Sequence, residues 1–252
     1  MAVRTRGWPV ASVFALGLAL GSTAALAQAP SGSTAPSPAA STPIGWLGAS
    51  EQVYMDDFSV PTDWEILEDE LGRTAYEGGG LLMSVKEDGA TVWDDHRLPT
   101  AYGVLRTEAL VSIQEGAGAA GVACGSSLGL PRYLFAAVTH EAEWIFGRII
   151  DGRVQVVDRG PIPGAVDESQ VRVGIECASV PEEGGDRVLV TLDGAGVAQT
   201  MLDIPVGPYD AAALLVSADI APVSALFDDM IVHTGDVYAP RSPERDPAKP
   251  SA

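Results

Sequence analysis

Apolar and polar residues alternate along most of the chain between residues 51 and 236. In the segment 171–177, Val, Ile and Cys occupy every second position, with Arg172 and Glu176 between them. Segments 104–113 and 186–192 repeat this arrangement. Successive side chains of a β-strand point to opposite faces, so the alternation predicts strands with one buried face.

Further segments of strand-like composition fill most of the remaining region. They are 80–85, 119–125, 132–139, 143–150, 153–158, 197–204, 212–218 and 226–233. Turn-forming pairs such as Asp151-Gly152 and Asp193-Gly194 separate several of them. Many short strands at such spacing predict a sandwich or a barrel. The spacing of Trp64, Leu67 and Leu71 fits either one helical turn or an irregular strand.

An Asp-Asp pair flanked by apolar residues occurs near each end of this region. The first is Asp56-Asp57 in "YMDDFS", and the second is Asp228-Asp229 in "LFDDMIVH". The first and last strands of a sandwich find partners or remain bare edges. We therefore expect the two segments to lie near each other, with their Asp pairs at one corner.

The ends of the chain have a different composition. Residues 1–27 combine an early positive charge, an apolar run and the cleavage-type sequence Ala25-Leu26-Ala27, which predicts a secretory signal peptide. A membrane anchor is the alternative, but the run is shorter than the roughly 20 residues that a span needs. Residues 28–50 form a predicted linker rich in Pro, Ser and Ala, and 237–252 a disordered tail. The expected domain is 51–236, in a protein that is secreted or extracytoplasmic, in the periplasm or cell envelope.

Charge narrows the classes of partner. The chain carries 15 basic and 34 acidic residues, for a net charge of −19. Such a surface repels phosphate backbones and anionic lipid, which excludes nucleic acid as a partner. With the signal peptide removed, no membrane span is expected in the mature protein.

The two cysteines and three histidines match no metal-site spacing. Cys124 and Cys177 both lie on apolar strand faces, and an even cysteine count in a secreted protein predicts a disulfide between them. Two separate buried thiols are the alternative. The histidines, His96, His140 and His233, are scattered along the chain and indicate no catalytic triad.

The order of these motifs resembles the concanavalin A-like lectin/glucanase superfamily. The resemblance runs from Tyr54 to Thr234 through "YEGGGLLMSV", "VLRTEALVSI", "EWIFGRIIDGRVQVVD" and "LFDDMIV". More narrowly, the chain is similar to bacterial extracytoplasmic domains related to 3-keto-disaccharide hydrolases and laminin-G-type modules. The resemblance implies an all-β fold, a jelly-roll sandwich of two curved antiparallel sheets.

The resemblance also suggests where chemistry would occur. Glycoside hydrolases of this superfamily carry a Glu-x-Asp-x-x-Glu strand, whose alternation places the acids on one face. This chain has no such strand, and segments 65–70 and 140–144 hold acids at other spacings. We therefore expect no catalysis. A structural calcium of the glucanases would correspond here to Asp57 and Asp228, and the alternative is that these residues only accept backbone hydrogen bonds.

Aromatic residues beside polar ones are the candidates for ligand binding, because sugar C–H faces stack on aromatic rings. The candidates are Trp93, Asp95, His96, Tyr133 and Trp144. Trp93 is expected to be exposed on a loop, whereas Tyr133 and Trp144 fit either a core or a binding face. The chain is thus interpreted as a lectin-like module for a saccharide or cell-envelope glycan. The alternatives are a structural or protein-interaction domain without a small ligand and, third, a glycoside hydrolase-like enzyme.

Overall fold

The computed structural model describes residues 3–5 (backbone only), 47–62, 64–126, 131–164, 170–203 and 205–236. Except for residues 3–5, the predicted signal peptide lies outside these ranges, as do residues 28–46 of the linker and the whole predicted tail. No described helix is long and apolar enough to cross a membrane. The only helical element among the described residues is a 3₁₀ turn at Pro181–Glu183.

The described chain folds almost entirely into strands, as the alternation predicts. The fourteen strands are β1 (Val3–Thr5), β2 (Glu51–Asp56), β3 (Leu67–Glu68), β4 (Gly72–Glu77), β5 (Gly80–Val85), β6 (Thr91–Tyr102), β7 (Val104–Ser126), β8 (Arg132–Thr139), β9 (Glu143–Ile150), β10 (Arg153–Pro161), β11 (Val171–Val180), β12 (Gly185–Leu192), β13 (Ala195–Leu202) and β14 (Tyr209–Thr234). All their pairings are antiparallel. Trp64 to Leu71 contains the irregular strand β3 and no helix.

Two long strands, β7 and β14, run through both layers of a sandwich. Sheet A has the order β10-β9-β8-β7-β14-β6-β1 and uses the second half of β7 and the first half of β14. Sheet B contains β13-β12-β11-β7-β14 and uses the opposite halves; β5 and β2 follow on the far side of β14, and β4 and β3 extend the sheet from β5. The fold is the predicted jelly-roll sandwich.

The bend in β7 depends on a glycine. Gly116 has a φ of +87°, and a Cβ there would lie 2.0 Å from the carbonyl oxygen of Pro222 in the adjoining bend of β14. A residue with a side chain fits neither the left-handed backbone nor this close approach. Gly116 thus allows one strand to pass from sheet B into sheet A.

The sandwich core lies between the two sheets. Val173 and Ile175 from sheet B belong to the same buried cluster as Val122 and Leu214 from sheet A. The first and last strands of the predicted domain pair with each other as expected: β2 pairs with the end of β14, and Asp56 lies opposite Met230. The two Asp-Asp segments are therefore neighbours, and the first and last strands of the predicted domain shield each other.

Candidate functional site

A second hydrophobic cluster lies on the outer face of sheet A, turned away from the core. It includes Trp93, Tyr133, Phe135, Ile149 and Leu215. The strand register arranges this face in three rows, which cross from β6 through β14, β7 and β8 to β9. The rows are Trp93–Leu215–Gly121–Ala137–Ile145, Asp95–Ala213–Ala123–Phe135–Gly147 and Arg97–Ala211–Gly125–Tyr133–Ile149.

The middle of each row is made of small residues, apart from Leu215. In the second and third rows, β14 and β7 contribute only Ala and Gly. A Cβ on Gly125 would lie 2.2 Å from Cε1 of Tyr133, so the tyrosine ring lies directly over that glycine. Phe135 lies over Gly147 in the same way, with 2.5 Å from the would-be Cβ to Cζ. The face is thus a floor of small residues on which the rings of β8 lie.

Tyr133 connects the two sides of this floor. Its hydroxyl donates to Oδ2 of Asp95 at 3.2 Å, and its ring meets that of Trp93 edge-on, with centroids 6.2 Å apart. Arg97 Nε lies 2.5 Å from the same Asp95 oxygen. Burial raises the pKa of Tyr133, and the nearby Asp95 carboxylate raises it further, so the phenol stays protonated and donates.

Trp93 has one polar atom available for a further bond. Its side chain is 1% exposed, and Nε1 has no hydrogen-bond partner among the described residues. β1 lies at the edge of the sheet beside this ring, since Val3 pairs with Trp93 in the register. None of the fourteen strands forms a third layer over this face.

The structure brings together three of the five candidate ligand residues. Trp93, Asp95 and Tyr133 share the outer face of sheet A, as just described. Trp144 is 8% exposed and belongs to the sandwich core, one of the two environments expected for it. His96 follows Asp95 in β6 and therefore points to the opposite face, where its ring stacks on Tyr54 with centroids 3.7 Å apart.

The prediction that Trp93 is exposed on a loop is wrong. Trp93 lies within β6 and is buried. The acidic, Pro-bounded segment beside Trp93 favours a loop at the level of sequence. In fact Asp95 and Arg97 occupy the same face as Trp93, where they pair with each other. Phe135 and Arg97 also lie on this face; the alternation of Tyr133, Phe135 and Ala137 in β8 and of Trp93, Asp95 and Arg97 in β6 is the sequence signal for them.

The cysteines face each other inside the core. Both are free buried thiols. Cys124 Sγ donates to the carbonyl oxygen of Leu105 at 3.3 Å, and the Cys177 thiol is within hydrogen-bonding contact of Cys124. Burial, followed by this neighbouring thiol, raises the pKa of Cys177. The inward orientation is as expected, the two thiols are neighbours, and the disulfide stays a prediction.

At the corner of the two Asp-Asp pairs, the buried member is Asp56. It accepts hydrogen bonds from the amide of Phe58, the hydroxyls of Tyr54 and Thr62, and the indole of Trp64. These bonds fix the chain where it leaves β2.

The predicted calcium ligands, Asp57 and Asp228, lie on the surface of this corner. Asp57 Oδ1 accepts from the amide of Ser59 at 3.0 Å. The Ser59 hydroxyl, and after it this amide, lowers the pKa of Asp57. Partial burial raises the pKa of Asp228, and the charges of Asp229 and Asp57 raise it further. Among the described residues, no three His, Cys, Asp or Glu side chains form a metal-binding group. Calcium therefore stays a prediction.

Comparison with solved structures identifies the fold. A protein of unknown function with a galectin-like fold from Bacillus subtilis is 14% identical, with a TM-score of 0.53 over 75% of this chain and 99% of its own. The β-glucanase of Bacillus licheniformis is 9% identical, with a TM-score of 0.50 over 73% of this chain and 98% of its own. A native glycosidic hydrolase is 12% identical, with a TM-score of 0.52 over 73% and 97%. The chain has the concanavalin A-like fold that the sequence resemblance implies.

No known protein-family profile and no curated protein sequence matches the chain. At identities of 9–14%, the structural neighbours establish the fold alone.

Proposed function

We propose that the domain is a secreted, lectin-like module that binds a saccharide on the outer face of sheet A without catalysis. The observation that carries this proposal is the convergence of two aromatic rings, Trp93 and Tyr133, with the Asp95–Arg97 pair on one floor of small residues. Ligand sites commonly combine apolar and aromatic walls with a few fixed polar groups. Here the rings offer faces for sugar C–H groups, and the carboxylate, guanidinium and indole N–H offer partners for hydroxyls.

Binding without turnover follows from the acids on this face. Asp95 is the only carboxylate in the three rows, and it is held by Tyr133 and Arg97. Glycoside hydrolysis ordinarily needs two carboxyl groups on either side of the bond that breaks. On β8, the outward positions are occupied by Tyr133, Phe135 and Ala137.

Removal of the leader would change the edge of the sheet beside Trp93. In the full chain Trp93 is buried and β1 pairs with β6 directly at this residue. β1 belongs to the segment that we predict to be cleaved after Ala27 during export. Its loss would free the β6 edge beside the Trp93 ring, so the mature protein, and not the precursor, is the proposed binding form. A cell-envelope glycan is the expected ligand for such an exported module.

A structural or protein-interaction role is the second candidate. It is favoured by the burial of Trp93 and Tyr133, which are 1% and 0% exposed. If this burial persists in the mature domain, the face is a second core that no small ligand enters.

Binding of neutral glycans to residues 28–252, read by tryptophan fluorescence and a glycan array, tests the proposal. We expect a response in the mature protein that is lost in Trp93→Ala and weakened in Arg97→Ala. The second variant removes a partly exposed side chain but also the charged partner of buried Asp95, so binding is compared at a temperature below the measured melting temperature of each variant. Met201→Ala, on exposed β13 of sheet B, is the matched control. If wild type responds to no glycan, the structural role replaces this proposal.

A further inference from the structure

Three arginines form a surface patch on sheet A that differs from every other basic site of the domain. Ten Lys and Arg residues lie between residues 47 and 236. Seven of them have a carboxylate oxygen within 3.9 Å of a side-chain nitrogen. These seven are Arg73, Lys86, Arg97, Arg106, Arg159, Arg172 and Arg187. The other three, Arg132, Arg148 and Arg153, have no carboxylate partner among the described residues.

These three arginines are neighbours on one face. Arg132 of β8 and Arg153 of β10 both lie opposite Ile150 of β9, one on each side of it. Arg148 lies two residues before Ile150 and therefore points to the same face. Adjacent strands are about 4.8 Å apart, so Arg132 and Arg153 are separated by about 10 Å across β9. Arg132 and Arg153 are exposed, and Arg148 is partly exposed, with its Nε donating to Gln155 at 2.9 Å.

The patch is unusual because of its surroundings. The chain has a net charge of −19, so carboxylates are abundant, and yet none pairs with these three side chains in the described part. Like charges on adjacent strands repel each other, so the cluster costs stability that the fold does not recover through ion pairs. Guanidinium groups bind carboxylate and sulfate oxygens in a bidentate manner. The arrangement is typical of a site whose counter-ions come from another molecule.

We propose that Arg132, Arg148 and Arg153 bind the sulfate or carboxylate groups of an anionic polysaccharide. A protein partner is less suited to this surface. Protein interfaces have an apolar centre, whereas none of the strongly exposed large apolar side chains lies on β8 or β9. Val156 and Val157 of β10 are exposed, but Val156 lies opposite Gly147 and so points to the other face from the arginines. Two exposed cations and one partly exposed cation on three adjacent strands instead match charges repeated along a polymer. The long-range repulsion from the acidic remainder is screened beyond about 10 Å at 0.1 M salt, while direct contacts persist.

This site is separate from the proposed saccharide site, because the arginines point to the inner face of sheet A and the Trp93 side chain to the outer face. Arg132 and Arg153 are exposed although they lie on this face. The inference therefore does not rest on the proposed function. If the arginine site proves wrong, the proposal of neutral-glycan binding is unaffected. If neutral-glycan binding proves wrong, the arginine site is unaffected.

The test compares binding of the mature chain to dextran sulfate, polygalacturonate and neutral dextran by calorimetry at about 0.1 M salt, where repulsion from the acidic remainder is screened. We expect binding to at least one charged polymer, weakened by added salt, and none to dextran. The triple variant Arg132→Gln, Arg148→Gln, Arg153→Gln should bind about tenfold more weakly, as three exposed ionic contacts predict. Comparison of the two charged polymers distinguishes sulfate from carboxylate recognition.

A second triple variant, Arg73→Gln, Lys86→Gln, Arg187→Gln, removes the same charge from ion-paired, exposed positions. It should bind like wild type. Equal weakening in both triple variants would show that only net charge matters and would overturn the site. Absence of binding to both charged polysaccharides also overturns it, and binding of polyglutamate in that case would assign the patch to an acidic protein.

Discussion

The ring of Trp93 meets the ring of Tyr133 edge-on, at a centroid distance of 6.2 Å. In the row of Tyr133, the strands between β6 and β8 contribute only small residues. Tyr133 starts on β8, passes over Gly125 of β7 and reaches Asp95 on β6. Three strands that are distant in sequence therefore share one polar and aromatic unit. Its integrity depends on the Tyr133 hydroxyl as much as on the rings.

Removal of that hydroxyl should destabilise the domain. Tyr133→Phe keeps the ring contact with Trp93 but leaves Asp95 with one charge-assisted bond fewer. We expect a loss of about 1–3 kcal/mol in the free energy of unfolding, measured by urea titration. Tyr102→Phe, at the end of the same β6 strand as Asp95 but in the sandwich core, is the comparison. An unchanged midpoint for Tyr133→Phe would show that the bond to Asp95 contributes nothing.

The two members of the first Asp-Asp pair should differ sharply. Asp56 is 5% exposed and accepts four side-chain or backbone hydrogen bonds, so Asp56→Ala leaves several buried donors unpaired. We expect a loss of about 2–4 kcal/mol. Asp57→Ala, one residue further on, removes an exposed side chain and should shift the thermal midpoint far less. Equal effects of the two substitutions contradict the structure of this corner.

The thiols of Cys124 and Cys177 should be unreactive in the native protein. Burial raises the pKa of Cys177, and the thiolate is the form that reacts with alkylating reagents. Iodoacetamide should label neither cysteine in native protein and both after unfolding without reductant, as mass spectrometry will show. A protein purified from an oxidising compartment that gains label only after reduction carries the disulfide predicted from sequence.

Asp94 should make stability depend on pH. Burial raises its pKa from 3.8 to about 6. The folded state therefore binds the proton more tightly than the unfolded state, and the stabilisation from protonation, present at low pH, is lost as pH rises from about 4 to about 6. Wild type should lose stability relative to Asp94→Asn across this window, measured by urea unfolding. A difference that is constant from pH 4 to 7 contradicts the raised pKa.

Calcium should stabilise the folded protein through the predicted ligands Asp57 and Asp228. An ion held between them binds only the folded state, so millimolar calcium would raise the melting temperature relative to EDTA. Asp228→Ala would abolish that increase, because it removes one of two carboxylate ligands. Glu51→Ala, an exposed acid at the opposite end of β2, serves as the control. Identical melting curves in calcium and EDTA would exclude the ion. Within the Asp56-Asp57 pair, Asp56 would then be the residue that stabilises the corner.

The sequence alone determined the fold class and which face of many strands is buried. Val171, Val173, Ile175 and Cys177 alternate with polar residues, and a strand that exposes such a row to water is unstable, so their inward orientation follows from the pattern. The pairing of the Asp56 and Asp228 segments also followed, because open edges at both ends of a sandwich are unfavourable.

Only the tertiary structure decided which residues form the candidate site. Trp93 and Tyr133 are forty positions apart, and the antiparallel register between β6, β14, β7 and β8 places them on one face. Alternation gives the two faces of a strand but does not say which face meets the other sheet when both are apolar, as in β8. That Arg132, Arg148 and Arg153 have no carboxylate partner among the described residues is likewise invisible in the sequence, because whether a carboxylate lies nearby depends on strands that are far apart along the chain.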